Sequence, residues 1–156
     1  MAINIVLYQP EIPPNTGNIA RSCAITGAKL HLIKPLGFSI DDKHVKRAGL
    51  DYWEFLDLEV HEDEKAFFEK YGTEKLYFAT TKATKYYDEF HFEDGCFIVF
   101  GKETAGLPAY IHEAYSETRF KIPMRKHENL RSLNLSNSVA IILYEALRQN
   151  NFLDLK

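Results

Sequence analysis

Three stretches of this 156-residue chain gather the side chains that could do chemistry. PPNTGNIAR (13–21) stiffens the backbone with two prolines, turns it through Asn-Thr-Gly, and brings Arg21 into the second turn of a helix. The free N–H groups at a helix start suit phosphate or another anion. The same residues also make an ordinary capped helix with a surface arginine, and Asn15 or Thr16 is the expected cap. VFGKETAGLP (99–108) ends an apolar strand at Gly101, wanders through polar residues and enters a helix through Gly-Leu-Pro. In open α/β sheets ligands sit outside the carboxyl ends of the strands. Gly101 would let a ligand approach the backbone, and Gly106 permits a left-handed turn; a plain strand-to-helix connection needs no more. KIPMRKHENLRSLNLSN (121–137) again takes an apolar strand to a proline and follows it with a polar loop. Ser and Asn bond readily to nearby backbone and build tight turns, and the same groups can hydrogen-bond an adenosine.

Several chemistries are excluded. No GxGxxG follows the first strand, so a dinucleotide site is unsupported. GKET (101–104) is not a phosphate loop: no glycine lies five positions before Gly101, and Glu103 stands where Ser or Thr would hold magnesium. There is no GxSxG. The six histidines have no ligand spacing, so no metal is expected. Cys23 and Cys96 read as packing residues, and a reducing cytoplasm is the default. No run approaches the roughly 20 apolar residues of a membrane span, and the N-terminus lacks a signal peptide's basic region.

The elements that must position these residues follow from periodicity. INIVLY (3–8), KLHLIKP, KLYFATT, CFIVFG and TRFKIP read as strands, several of them continuously apolar. Helices are expected through about Thr26, over DDKHVKRAG, over EDEKAFFEKYG, over AGLPAYIHEAY and over 134–150. Strands alternating with helices predict one α/β domain spanning 1–156, with a mostly parallel sheet covered on both faces. The last helix is odd: Val139 to Ala146 is apolar on more than one face, so more than one face must be buried. The net charge of −3 argues against bulk attraction to nucleic acid. Acids crowd into Glu54–Glu69, while bases cluster at Lys43, Lys46 and Arg47 and again at Lys121, Arg125, Lys126 and Arg131. These clusters suit either a local RNA-binding face or two solvated charge runs.

Taken together and in this order, NTGNIAR, FGKETAGLP and IPM…RSLNLSNS resemble the three motifs of the SPOUT superfamily of knotted, S-adenosylmethionine-dependent RNA methyltransferases. The resemblance covers essentially the whole chain, and HLIKPLGF, KRAGLDYWE and NLSNSVAIILYEALRQ tighten it. It is closest to the minimal subgroup that methylates the ribose 2′-hydroxyl of the tRNA wobble nucleotide, position 34. The resemblance implies a deep C-terminal trefoil knot, S-adenosyl-L-methionine as cofactor, the anticodon stem-loop of leucine tRNAs as substrate, and a cytoplasmic homodimer whose active sites are completed across the interface. Ala79, Thr80, Gly101, Ile122, Met124, Ser132 and Leu133 match the family's cofactor-contact positions, with Glu103 beside them. Arg21 and Asn134 fall at the positions tied to activity, and Tyr144 falls at the subunit interface. Lys43, Lys46, Arg47, Arg125, Lys126 and Arg131 are the RNA-binding candidates. An arginine holds its charge too firmly to be an effective base, so the expected role of Arg21 is to fix a phosphate and stabilise charge growing on the 2′ oxygen. Other readings of the same scaffold are methylation of another tRNA or rRNA nucleotide, a non-catalytic RNA-binding module, an enzyme of another adenosine ligand, or a dimeric scaffold.

Overall fold

The apolar run near the N-terminus becomes β1 (Asn4–Tyr8), buried almost throughout because it lies in the middle of the sheet. A computed structural model describes residues 2–41, 43, 47 and 52–156 of the chain. From β1 the chain passes through α1 (Pro13–Thr26) to β2 (Lys29–Ile33), which lies beside β1, and then to β3 (Asp57–His61) at the edge. Helix α2 (Glu64–Tyr71) leads to β4 (Leu76–Ala79), and β5 (Phe97–Phe100) returns to the free side of β1. Helix α3 (Ala109–Ala114), the short β6 (Arg119–Phe120) and α4 (Leu135–Gln149) complete the order. The strands run β3-β2-β1-β5-β4-β6, and every neighbouring pair is parallel.

Parallel neighbours require crossovers, and crossovers put helices on the faces. One face carries Ile5, Leu7 and Ile98 under Ile19 and Cys23 of α1 and Ile142 and Leu143 of α4. The other carries Val6, Phe78 and Val99 under Phe67 of α2 and Ile111 of α3. The sheet covered on both faces is thus as expected, and both cysteines are buried packing residues.

Three expectations need correction. First, β3 was not anticipated. Its Asp-Leu-Glu-Val-His alternation belongs to a half-exposed edge strand, and its acids merge into the charged run around it. Second, neither Asn15 nor Thr16 caps α1. The helix starts at Pro13, with Ile12 in the cap position and no side-chain cap. Prolines suit the first helical positions because their missing N–H is not needed there. Third, TRFKIP pairs with β4 only at Arg119 and Phe120, and its next residue, Lys121, bridges in parallel to Tyr86 outside the sheet's named strands. The helix expected over DDKHVKRAG falls mostly outside the described residues, and Lys46 with it.

The crossing from β6 to α4 matters most for the site. β6 lies at the sheet's far edge, yet α4 packs against α1. The connecting segment therefore recrosses the carboxyl ends of β4 and β5, over the cleft described next.

Candidate active site

The three loops leaving β4, β5 and β6 enclose a cleft of about 830 Å³. It lies outside the carboxyl ends of the strands, next to the point where β1 and β5 meet and the chain order reverses, the usual place for a ligand in such sheets. Ala79 and Thr80 come from the first loop, Gly101 and Glu103 from the second, and Ile122, Met124, Ser132 and Leu133 from the third. All eight expected cofactor-contact residues therefore line one space.

The second loop is a closed turn. Gly106 donates to the Lys102 carbonyl at 2.9 Å and accepts from the Lys102 N–H at 3.3 Å, and Gly106 itself is left-handed at φ 69°. Gly101 backs directly on this turn: a Cβ there would meet Gly106 Cα at 2.6 Å and the Leu107 nitrogen at 2.7 Å. Gly101 is thus required by the chain's own packing. In the third loop the Leu133 N–H lies 3.3 Å from the Met124 sulfur, which draws the loop's two ends together.

A chain of polar contacts ties the three motifs to one another. Glu103 accepts from the Glu11 and Ile12 N–H groups at 2.9 and 2.8 Å, so a side chain some ninety residues away does the work of a cap at the start of α1. Glu11 returns the contact by accepting from the Thr104 N–H and hydroxyl. Those bonds, the hydroxyl's foremost, hold its carboxyl below the usual range. Asn15, buried, donates to Glu103 at 3.3 Å and accepts from Asn134 Nδ2 at 3.1 Å. Asn134 in turn caps α4, its Oδ1 accepting from the Ser136 and Asn137 N–H groups at 2.9 and 3.3 Å. Glu11 and Thr104 were not singled out in the sequence, and Asn15 was singled out only as a helix cap. A proline-flanked Glu just before the helix and an Asn in its first turn were the available signal, but their partners lie too far along the chain to be paired by eye.

The cleft is cationic although the protein is acidic. Lys82, Lys102, Lys121 and Arg131 line it, and Glu103, its one lining carboxylate among the described residues, is already bonded. His112 also lines it. Its Nδ1 lies 3.1 Å from Arg119 Nη1, which donates to it. Burial first, then the neighbouring Arg119 and Lys82, push the imidazole below its usual value, so the ring is neutral. Gln9, left-handed at φ 47° where β1 ends, accepts from Lys102 Nζ at 3.4 Å. Sequence reasoning missed Lys82 and His112, which lie one step past the motifs.

Other predicted residues lie elsewhere. Arg21 is exposed on α1 and is not part of the cleft lining. Arg125 and Lys126 are exposed on the third loop outside the lining, and Lys43 and Arg47 are exposed beyond β2. Tyr144 is 44% exposed on α4, with Ile141 beside it at 38%.

Among the described residues, only His31, Glu59 and His61 gather at metal-ligand distances. Their atoms are already committed. His31 Nδ1 lies 3.1 Å from His61 Nε2, and its other nitrogen lies 3.0 Å from the Asn4 side-chain Oδ1. Glu59 holds Lys29 at 2.9 Å and Lys70 at 2.6 Å. Burial pulls its carboxyl up, but the bonds from Lys70, Tyr71 and Lys29 outweigh that and hold it far below its usual value. Two ammonium groups thus occupy the place of a metal charge, and the cluster reads as structural.

The sequence profile of the SpoU rRNA Methylase family matches residues 2–144. The chain belongs to this family. It is 52% identical over 150 residues to the tRNA (cytidine(34)-2′-O)-methyltransferase of Methylovorus glucosotrophus (strain SIP3-4), covering 96% of each chain. It is 51% identical over 148 residues to the protein of that name in Escherichia coli (strain K12), covering 94% of this chain and 93% of the relative. A solved structure concerned with 2′-OH methylation of C/U34 on tRNA superposes with a TM-score of 0.88 at 41% identity, covering 96% of this chain and 97% of the other. The SpoU methyltransferase AviRb from Streptomyces viridochromogenes, solved with S-adenosylmethionine, shares the fold at a TM-score of 0.81 and 23% identity over 96% of this chain and 61% of its own.

Proposed function

We propose that this SpoU-family chain transfers a methyl group from S-adenosylmethionine to the ribose 2′-hydroxyl of nucleotide 34 in the tRNA anticodon. One observation carries the reading. Three sequence motifs separated by up to 119 residues converge on a single cationic cleft through the contacts Glu103–Asn15–Asn134. The relatives that share half of its residues over nearly full length carry that activity in their names.

The cleft fits the cofactor. Its volume lies within the range of small-molecule sites. Ile122, Leu133 and Leu107 offer apolar walls for an adenine, while the turns around Gly101 and Gly106 bring backbone polar groups to the rim. When bound, S-adenosylmethionine supplies an electrophilic methyl group on a sulfonium. The chain's own residues have other tasks. The loops shield the reacting atoms from water and fix their alignment, an effect worth about 7–11 kcal/mol in favourable cases. Lys102 and Arg131 attract the RNA backbone toward the cleft. Arg21 holds the phosphate beside the target ribose and stabilises negative charge developing on the attacking oxygen.

Arg21 does not reach its own cleft, which supports a homodimer in which Arg21 of a second copy completes each site. Ile141 and Tyr144, three residues apart on one face of α4, give that second copy an apolar surface to cover. The recrossing segment after β6 is the stretch that the family's trefoil knot would thread. A leucine tRNA substrate and a cytoplasmic location follow from the same reading; no described helix is long and apolar enough to cross a membrane.

The test is methyl transfer from labelled cofactor to unmodified tRNA, followed by mapping of the labelled nucleotide. Label on the ribose of nucleotide 34 is the expected result. Label at another position would move the substrate, and no label together with RNA binding would leave a non-catalytic module.

A further inference from the structure

The surroundings of Arg21 contain more than the transfer reaction uses. Its guanidinium carbon lies 4.8 Å from the centroid of the Tyr52 ring, and its Nη2 donates to the Tyr52 hydroxyl at 3.4 Å. Among the described residues, no carboxylate forms an ion pair with it. Tyr52 opens a single helical turn, Trp53–Phe55, that packs against α1. Trp53 and Leu56 anchor this turn on the core. The Phe55 N–H bonds to the Tyr52 carbonyl at 3.0 Å, and the Leu56 N–H to the Trp53 carbonyl at 3.2 Å. Phe55, between the two anchors, is 71% exposed, more than any other large hydrophobic side chain described. An apolar ring held outward by a turn fixed on both sides is positioned in advance.

We propose that Phe55, on the turn that Tyr52 opens and with Arg21 held on the Tyr52 ring, is part of a docking platform for an unpaired nucleobase of the RNA loop, whose flanking phosphate meets the Arg21 guanidinium. This rests on the tRNA-methyltransferase reading above. A nucleotide in a single-stranded loop presents one flat apolar face and one anion. The platform presents one flat apolar ring and one cation unopposed among the described residues. Unstacked loop bases are commonly received on aromatic rings. Such stacking is tolerant of base identity because every base has a π-face. The platform therefore grips a neighbour of the target nucleotide without reading its sequence, and Tyr52 keeps the guanidinium turned toward the same strand. A second copy of this chain would also cover an exposed phenylalanine, and sedimentation separates that outcome from RNA binding.

The experiment uses the full chain and an unmodified anticodon stem-loop RNA. RNA affinity is followed by fluorescence anisotropy over a range of salt, cofactor affinity by calorimetry, and assembly by sedimentation. Phe55→Ala should weaken RNA binding about 5- to 150-fold, the range for loss of one stacked base. Phe55→Trp should retain parental affinity, since it keeps a π-face. The slope of affinity against salt should stay parental in Phe55→Ala, because no phosphate contact is removed, and should fall in Arg21→Ala. Cofactor affinity should not move. Parental RNA affinity in Phe55→Ala overturns the platform, as does a loss that tryptophan fails to restore. Dissociation of a parental dimer by Phe55→Ala assigns the ring to a subunit contact and overturns it equally. A parent that methylates nucleotide 34 beside a fully RNA-competent Phe55→Ala sinks the platform alone; a parent that transfers no methyl group to tRNA removes the underlying reading.

Discussion

Arg21 and Gly101 illustrate two ways in which one side chain, or its lack, can govern the site. Arg21 is outside the cleft, so Arg21→Ala should bind S-adenosylmethionine as the parent does while turnover on tRNA falls about two to three powers of ten, corresponding to about 3–4 kcal/mol. Single-turnover rates beside calorimetry separate the two effects; turnover within a few-fold of the parent would move the charge to Lys102, Arg125 or Arg131. Arg21→Lys keeps the charge but loses the planar fork, so partial recovery indicates electrostatics and none indicates geometry. Gly101 acts through the chain itself. Gly101→Val should abolish cofactor binding because its Cβ would meet the Gly106 backbone and push the closed turn aside. The cause is a displaced turn, whereas the sequence suggested only a filled ligand space. Parental cofactor affinity in calorimetry would place the pocket elsewhere.

At the scale of elements, the histidine cluster joins β1, β2 and β3 under α2, and it makes the sheet sensitive to acid. Burial is the main cause of both depressed imidazoles, and His31 falls to about 3. The unfolded chain therefore takes up protons that the folded chain refuses. Stability is complete above the ordinary histidine value near 6.5 and declines as pH falls toward 3. For His31 alone the loss at pH 5 should be about 2 kcal/mol. Urea unfolding at pH 7.5 and pH 5 measures it, and a pH slope in His31→Asn as steep as the parent's would refute the assignment. The start of α1 offers a second test: Glu103→Ala removes the acceptor of two N–H groups and should cost about 0.5–2 kcal/mol in the same assay, the range for loss of a helix cap. These two features also show how far sequence reasoning extends. The loops after β5 and β6 were readable because Gly, Pro, Ser and Asn carry their meaning locally. The cap supplied by Glu103 and the pairing of His31 with His61 were not readable, since each joins residues 30 to 92 positions apart. Edge strands escaped for another reason: β3 is half exposed and β6 is two residues long, so neither carries the apolar run that marked the central strands.

For the molecule as a whole, the proposed second chain would account both for the exposed face of α4 and for the remoteness of Arg21 from the cleft. Tyr144→Asp places a charge on that face and should weaken the dimer in sedimentation equilibrium; an unchanged dimer, or a monomeric parent, rejects the interface. Mixing gives the sharper test. Arg21→Ala and Gly101→Val chains are each inactive alone. If sites are shared, a mixed dimer has one complete site, built from the intact cleft of one chain and the arginine of the other. Random mixing should then restore about a quarter of parental turnover. If each chain serves only itself, the mixture stays inactive.

The chain of contacts through Asn15 has a consequence for synthesis. The cleft draws on residues from 12 to 138, and its polar contacts join position 15 to both 103 and 134. The central strand β1 is made first, yet its partner β5 appears only ninety residues later. A ribosome must therefore release the chain through the start of α4 before any cofactor site exists. A nascent chain arrested before Asn134 should show no protection by S-adenosylmethionine against proteolysis, and competence should arise in one late step as the last helix emerges.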